Sequence, residues 1–159
     1  MEQSRRRSQR GNAVMETALV FLPFFALLLA LIDYSLAIFK RNTFQNAVRE
    51  GTRYAITGQT YSVPVCDGTH GQDQAIKDVV QNNSMGFITD RSMIHIDYYD
   101  GITLAASTAN SAYNIVVVSI QGYSHSWIAA MWRSATPLPI AAASADLVEP
   151  APAGGAPCR

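Results

Sequence analysis

From Ala13 to Ile32 the chain is apolar, and Glu16 is the only ionisable side chain in that run. Roughly 20 such residues are what a helix needs to cross a membrane. No Gly or Pro interrupts Asp33 to Glu50, so the pattern predicts one helix over 12–57, about 70 Å long at 1.5 Å per residue. Gly58 supplies the stop. Pro23 removes one backbone hydrogen bond and kinks an isolated helix, which membrane helices tolerate. Ala47, Gly51 and Ala55 repeat every four residues and share one face, open to close approach by another backbone. Gly51 costs about 1 kcal/mol inside a helix, which argues for a packing role.

Beyond Gly58 the period changes. Residues 59–71 read as a loop rich in Gly, Pro, Thr and Ser. Residues 72–82 carry Ala75, Ile76, Val79 and Val80 on one face of a short helix. Three strands are expected, over 93–99, 114–120 and 140–148, the second being β-branched throughout its centre. Asp100-Gly101 and the small polar stretch 105–111 form the turn between the first two. The fold class is therefore α+β, with a long N-terminal membrane helix, then a short helix and a three-stranded antiparallel sheet packed on the helix. Three strands become stable when a helix covers one face. The organisation is a basic leader (1–11), the long helix (12–57), a small α+β head (58–150) and a flexible tail (151–159).

Charge sets the topology. Arg5, Arg6, Arg7 and Arg10 precede the apolar run, while only Lys40 and Arg41 flank its far side. The leader is expected in the cytoplasm and the head outside. The whole chain balances 12 basic against 12 acidic side chains. Without residues 1–11 it loses four arginines and one glutamate and becomes mildly acidic, which argues against a nucleic-acid partner.

Chemistry in the head is sparse. Cys66 and Cys158 are the two cysteines. In an oxidising compartment they would close a loop of about 90 residues, worth roughly 4–5 kcal/mol in the chain-entropy model. The alternative is two unpaired thiols. Neither cysteine has metal-site spacing, and His70, His95 and His125 are scattered, so no metal or cofactor is expected. Gly122-Tyr-Ser124-His-Ser126 lacks the second glycine of a nucleophile elbow. No phosphate loop or dinucleotide fingerprint is present. The reading is a structural component and not an enzyme. The segment from Tyr123 to Trp132 places Trp127, Met131 and Trp132 in one connection, either as a plug over the sheet edge or as a contact for another subunit or the outer leaflet.

Glu16 sits one turn into the apolar helix, and a carboxylate at mid-bilayer costs about 2–3 kcal/mol, less near the interface. A simple anchor has no use for it. Gly11 at the end of a short basic leader, Glu16 five positions later and an immediate apolar helix resemble the type IV prepilin signal. Ile32-Asp33-Tyr34, followed by Gln45, Ala47, Arg49, Glu50, Gly51, Arg53, Tyr54 and Ala55, narrows this to a resemblance to the TadE-like pseudopilins of tight-adherence pili. Asn46, Val48 and Thr17 depart from that pattern. The resemblance implies cleavage between Gly11 and Asn12 by a prepilin peptidase. It also implies an assembly contact in which Glu16 meets the new α-amine of Asn12 on a neighbouring subunit. It further implies other pilin or pseudopilin subunits, an assembly platform and the cytoplasmic membrane as partners. Three other readings of the N-terminus exist: a secretory signal cut near Ser35-Leu36-Ala37, a twin-arginine signal, and an uncleaved anchor. A secretory signal has a shorter core without a carboxylate. The leader also lacks the hydrophobic residues expected after a twin-arginine pair. An uncleaved single-pass protein whose head binds an envelope or surface partner is the remaining alternative.

Overall fold

A computed structural model describes residues 2–60, 71–128, 136–150 and 157–159, with backbone alone for 2–12. Its elements are α1 (Glu2–Ile56), α2 (Gln72–Asn83), a 3-10 turn (Arg91–Met93), β1 (Ile94–Tyr99), β2 (Ala106–Ser107), β3 (Ile115–His125) and β4 (Leu138–Leu147). The chain divides into two compact units. One holds Met1–Ala37 and Ser126–Pro137, and the other holds Ile38–His125 and Leu138–Arg159.

In the second unit the four strands form one antiparallel sheet in the order β2-β1-β3-β4. Ile94, Ile120 and Ala142 stand in one cross-strand row, and Tyr98 pairs with Val116. These residues are buried together with Phe44, Ala47, Val48 and Ala55 of α1 and Ala75, Ile76 and Val80 of α2. Burying each large aliphatic or aromatic side chain stabilises the unit by roughly 1.5–3 kcal/mol. Gly51 lies at the centre of this packing. A Cβ there would overlap Val80 Cγ2 and sit 3.5 Å from Val118 Cγ1 and 3.6 Å from Ile76 Cγ2. The small face of α1 thus receives side chains of α2 and β3 from the same chain.

The sheet has four strands where the sequence predicts three. The added strand, β2, comes from the stretch read as a turn. Asp100 Oδ1 accepts from the amides of Ile102 (3.0 Å) and Thr103 (2.7 Å) and from Thr103 Oγ1 (2.9 Å). The amide of Asp100 donates to Ala105 O at 2.9 Å. This tight return brings Ala106 and Ser107 opposite Tyr99 and Tyr98. Two small residues carry no alternation, so no period-2 signal marks them.

β3 is longer than 114–120 because of a bulge. Ile120 pairs with Ala142, but the next pair is Tyr123 with Ile140. Gly122, at φ +77°, takes the left-handed conformation that such a bulge needs. One extra residue shifts the parity of the strand, so Tyr123 and His125 follow Ile120 onto the helix side. Tyr123 meets Phe44 edge to face at 4.8 Å. The Gly-Tyr-Ser-His segment is therefore strand, with Ser124 exposed and paired to Pro139.

α1 ends at Ile56, and Gly58 follows at φ +64°, donating to Ala55 O at 3.2 Å. At its other end α1 reaches back to Glu2, beyond the expected start at 12. The last three residues also differ from a flexible tail, for they are docked. Cys158 O accepts from the Gln72 amide at 2.7 Å, and Pro157 O accepts from Asn110 Nδ2 at 2.7 Å. Cys158 is disulfide-bonded, while Cys66 and His70 lie outside the described residues.

Candidate functional site

Of the residues singled out by sequence, Gly11, Asn12 and Glu16 lie on α1 within the first unit. Glu16 is exposed. Around it the large apolar side chains from Val14 to Ile32 are all uncovered, ranging from 37% exposed at Leu28 to 77% at Leu19. Among the described residues nothing in this unit buries that surface, which fits an apolar solvent or a partner. Phe21 stacks on Phe25 at 5.9 Å between ring centroids, which is the one-turn spacing of a helix face. The hydroxyl of Thr17 donates to Ala13 O (2.8 Å) and that of Ser35 to Leu31 O (2.7 Å). These two hydroxyls are thereby satisfied by the helix's own backbone, as lipid demands. The helix continues across Pro23.

The apolar run stops at Asp33, which is 1% exposed and accepts the amide of Ile128 at Oδ1, 3.1 Å away. Trp127, next to it, donates its indole N–H to Thr136 O at 3.1 Å. The connection after β3 is thus tied to the end of the apolar helix. Met131 and Trp132 lie outside the described residues. The Ile32-Asp33 pair is visible in sequence, yet nothing local announces that its acceptor serves a backbone group 95 positions away.

In the second unit Lys40 is half-buried under two rings. Its Nζ stands 5.3 Å from the Phe87 centroid and 5.5 Å from that of Tyr123, and it donates to His125 Nδ1 at 3.2 Å. Gln45 donates from Nε2 to Ala143 O at 3.1 Å. Ala47 and Ala55 are buried at 0% and 2% exposure. Near the end of α1, buried Gln72 donates to Ala55 O at 3.1 Å and accepts from Asn110 Nδ2 at 2.6 Å. This satisfies one of the carbonyls a helix end leaves unpaired. Lys40, Gln72 and Asn110 were not singled out by sequence, because polar residues declare a buried role only through partners remote in the chain. Among the described residues no group of three His, Cys, Asp or Glu side chains is placed to hold a metal.

An uncovered apolar helix of this length, carried into an α+β head, is the build of a single-pass membrane protein. Residues 11–53 match the family model described as TadE-like protein. Over that segment, within the first third of the chain, the sequence is similar to TadE-like proteins. No curated protein and no solved structure matches it.

Proposed function

We propose that this chain is a minor pilin or pseudopilin of a tight-adherence pilus, a structural subunit without catalytic or cofactor chemistry. It inserts with its leader in the cytoplasm and its head exported, and a prepilin peptidase cuts it between Gly11 and Asn12. α1 then packs among the helices of other pilin or pseudopilin subunits at a pilus base or tip, for secretion or surface adhesion, with the assembly platform as a further partner. The observation that carries this reading is the TadE-like span itself. It opens at Gly11, includes Glu16 and the whole apolar run, and closes at Arg53, inside the packed part of α1.

The charge logic supports the same reading. A carboxylate near the membrane surface gains by meeting a cation, and cutting at Gly11 creates one at the amine of Asn12. A second reading has its own support. α1 is helical through Gly11 and Asn12, whereas a peptidase needs that backbone opened. An uncleaved single-pass protein, with a head that binds an envelope or surface partner, keeps the helix whole. The mass of the protein recovered from membranes separates the two: a chain starting at Asn12 supports the pilin, and an intact leader supports the bitopic protein. Gly11→Val should block cutting and leave insertion intact, and normal processing of that variant overturns the assignment.

A further inference from the structure

The connection between β3 and β4 does not group with the head. Ser126–Pro137 forms a compact unit with Met1–Ala37. Among the described residues a hydrogen bond runs between them from the Ile128 amide to Asp33 Oδ1 at 3.1 Å. Asp33 is the first residue after the apolar run. Twenty helical residues, Ala13 to Ile32, cover about 30 Å, which is the hydrocarbon thickness of a bilayer. If that run crosses the membrane, Asp33 stands at the boundary between acyl chains and headgroups, and the Trp127-Ile128 pair is held at the same depth.

The side chains at this level suit such a boundary. Ile128 is 67% exposed and Tyr34, beside Asp33, is 62% exposed. Trp127 is half-buried, and its N–H is already bonded to Thr136 O. The indole ring can therefore enter an apolar layer without carrying an unmet donor with it. Asp33 does the same for the Ile128 amide, because a backbone N–H taken out of water without an acceptor costs free energy. Aromatic rings are favoured in the interfacial layer.

We propose that Trp127 and Ile128, pinned by Asp33, sit in the lipid interface on the head side and form a second membrane contact besides the spanning helix. The inference rests on the reading that Ala13–Ile32 spans the bilayer. It means that this connection, as well as α1, meets the membrane.

Trp132→Phe leaves Trp127 as the only tryptophan. That full chain is reconstituted at one copy per phosphatidylcholine nanodisc, with lipids brominated either near the glycerol or at mid-chain. Trp127 emission should be lost mostly to the shallow bromines, less to the deep ones and little to aqueous iodide. Asp33→Ala should transfer the quenching to iodide, while Asp33→Asn keeps an acceptor oxygen and the lipid pattern. Iodide quenching in the parent chain would show the connection in water, and quenching by neither agent would show protein covering it. Either result overturns the proposal. A Phe21→Trp reporter in a chain with both natural tryptophans replaced by Phe tests the span separately. If mid-chain bromines quench it and Trp127 is untouched by lipid, the second contact alone fails. If they do not quench it, the spanning helix fails and the second contact with it.

Discussion

Arg159, the final residue, sets its Nε and Nη2 on Asp73 Oδ2 at 3.0 and 2.9 Å, closing the end of the chain onto the first turn of α2. Its guanidinium also lies 4.4 Å from the Tyr98 ring centroid and donates to Thr108 O. One side chain thereby joins α2, β1 and the loop after β2. The ion pair is partly exposed, at 30% and 21% for its two side chains, so screening leaves it well under 1 kcal/mol. The cation–π contact adds about 0.5–1 kcal/mol. Arg159→Ala should lower the urea stability of the head by about 1 kcal/mol, and Arg159→Lys should recover only part of it because the planar stacking is lost. Identical midpoints for Arg159→Ala and the parent would mean the C-terminus is not docked.

Gly51 is a sharper test of the core. A Cβ there overlaps Val80 Cγ2, and overpacking a filled core costs about 1–3 kcal/mol. Replacing Gly by Ala in a helix returns about 1 kcal/mol of that. Gly51→Ala should therefore destabilise by a net of about 1 kcal/mol. The penalty should shrink or reverse in a Val80→Ala background, where the clashing methyl is gone. Equal effects of Gly51→Ala in both backgrounds, measured as a double-mutant cycle, would remove Val80 as the cause.

What the sequence disclosed and what it hid follow from how far each signal reaches. The apolar run, the Gly58 stop and the alternation in Val116, Val118 and Ile120 are local, so the end of α1, the start of β3 and both ends of α2, β1 and β4 stand within two residues of their expected places. The bulge at Gly122 was hidden, because one glycine in a strand does not say which parity the residues after it will take. β2 was hidden because Ala106 and Ser107 pair only through the return that Asp100 organises. The docked tail was the least legible. Ala-Pro-Gly composition signals a linker, yet Pro157 on Asn110, and Cys158 and Arg159 on α2, make its end part of the fold. At the candidate site, the sequence singles out Gly11 and Glu16 because motif and cost coincide there. Asp33 was visible only as half of a dipeptide.

The pH response should come from one aspartate, Asp100, and one tyrosine, Tyr98, shifted in opposite directions. Backbone hydrogen bonds from Thr103 and Ile102, and the Thr103 hydroxyl, hold the Asp100 carboxyl below its ordinary pKa. A depressed folded pKa means that its stabilisation is present above the unfolded value, about 3.9, and is lost as pH falls through the folded one. Burial, then the Asp73 charge and the hydrogen bond to it, push the Tyr98 hydroxyl well above its ordinary range. That stabilisation is fully present below about pH 10 and is lost as pH rises through the folded value. Amide protection in the β1–β2 return, taken relative to the intrinsic exchange rate at each pH, should fall in acid, and Asp100→Asn should flatten that dependence. Alkaline unfolding should ease in Tyr98→Phe, which has no proton to lose. Unchanged acid and alkaline limbs in the two variants would assign the pH response to other groups.

The last prediction concerns Glu16. Its side chain is exposed on a helix whose neighbouring large residues are all apolar and uncovered. Among the described residues no hydrogen bond or ion pair is made to this carboxylate. In the pilin reading its partner is the amine of Asn12 on an adjacent subunit, which exists only after the leader is removed. Glu16→Gln keeps size and hydrogen bonding but has no charge, and Glu16→Leu favours the bilayer by removing the most costly group of the run. Both variants should insert and be cut as the parent is, yet be depleted from sheared pili and from the assembly platform. The cleaved fraction and the amount recovered in each compartment are measured together, so a processing defect is not mistaken for an assembly defect. If both variants are recovered at the parent's level, the charge is not an assembly contact. The one carboxylate in the apolar run would then need another role.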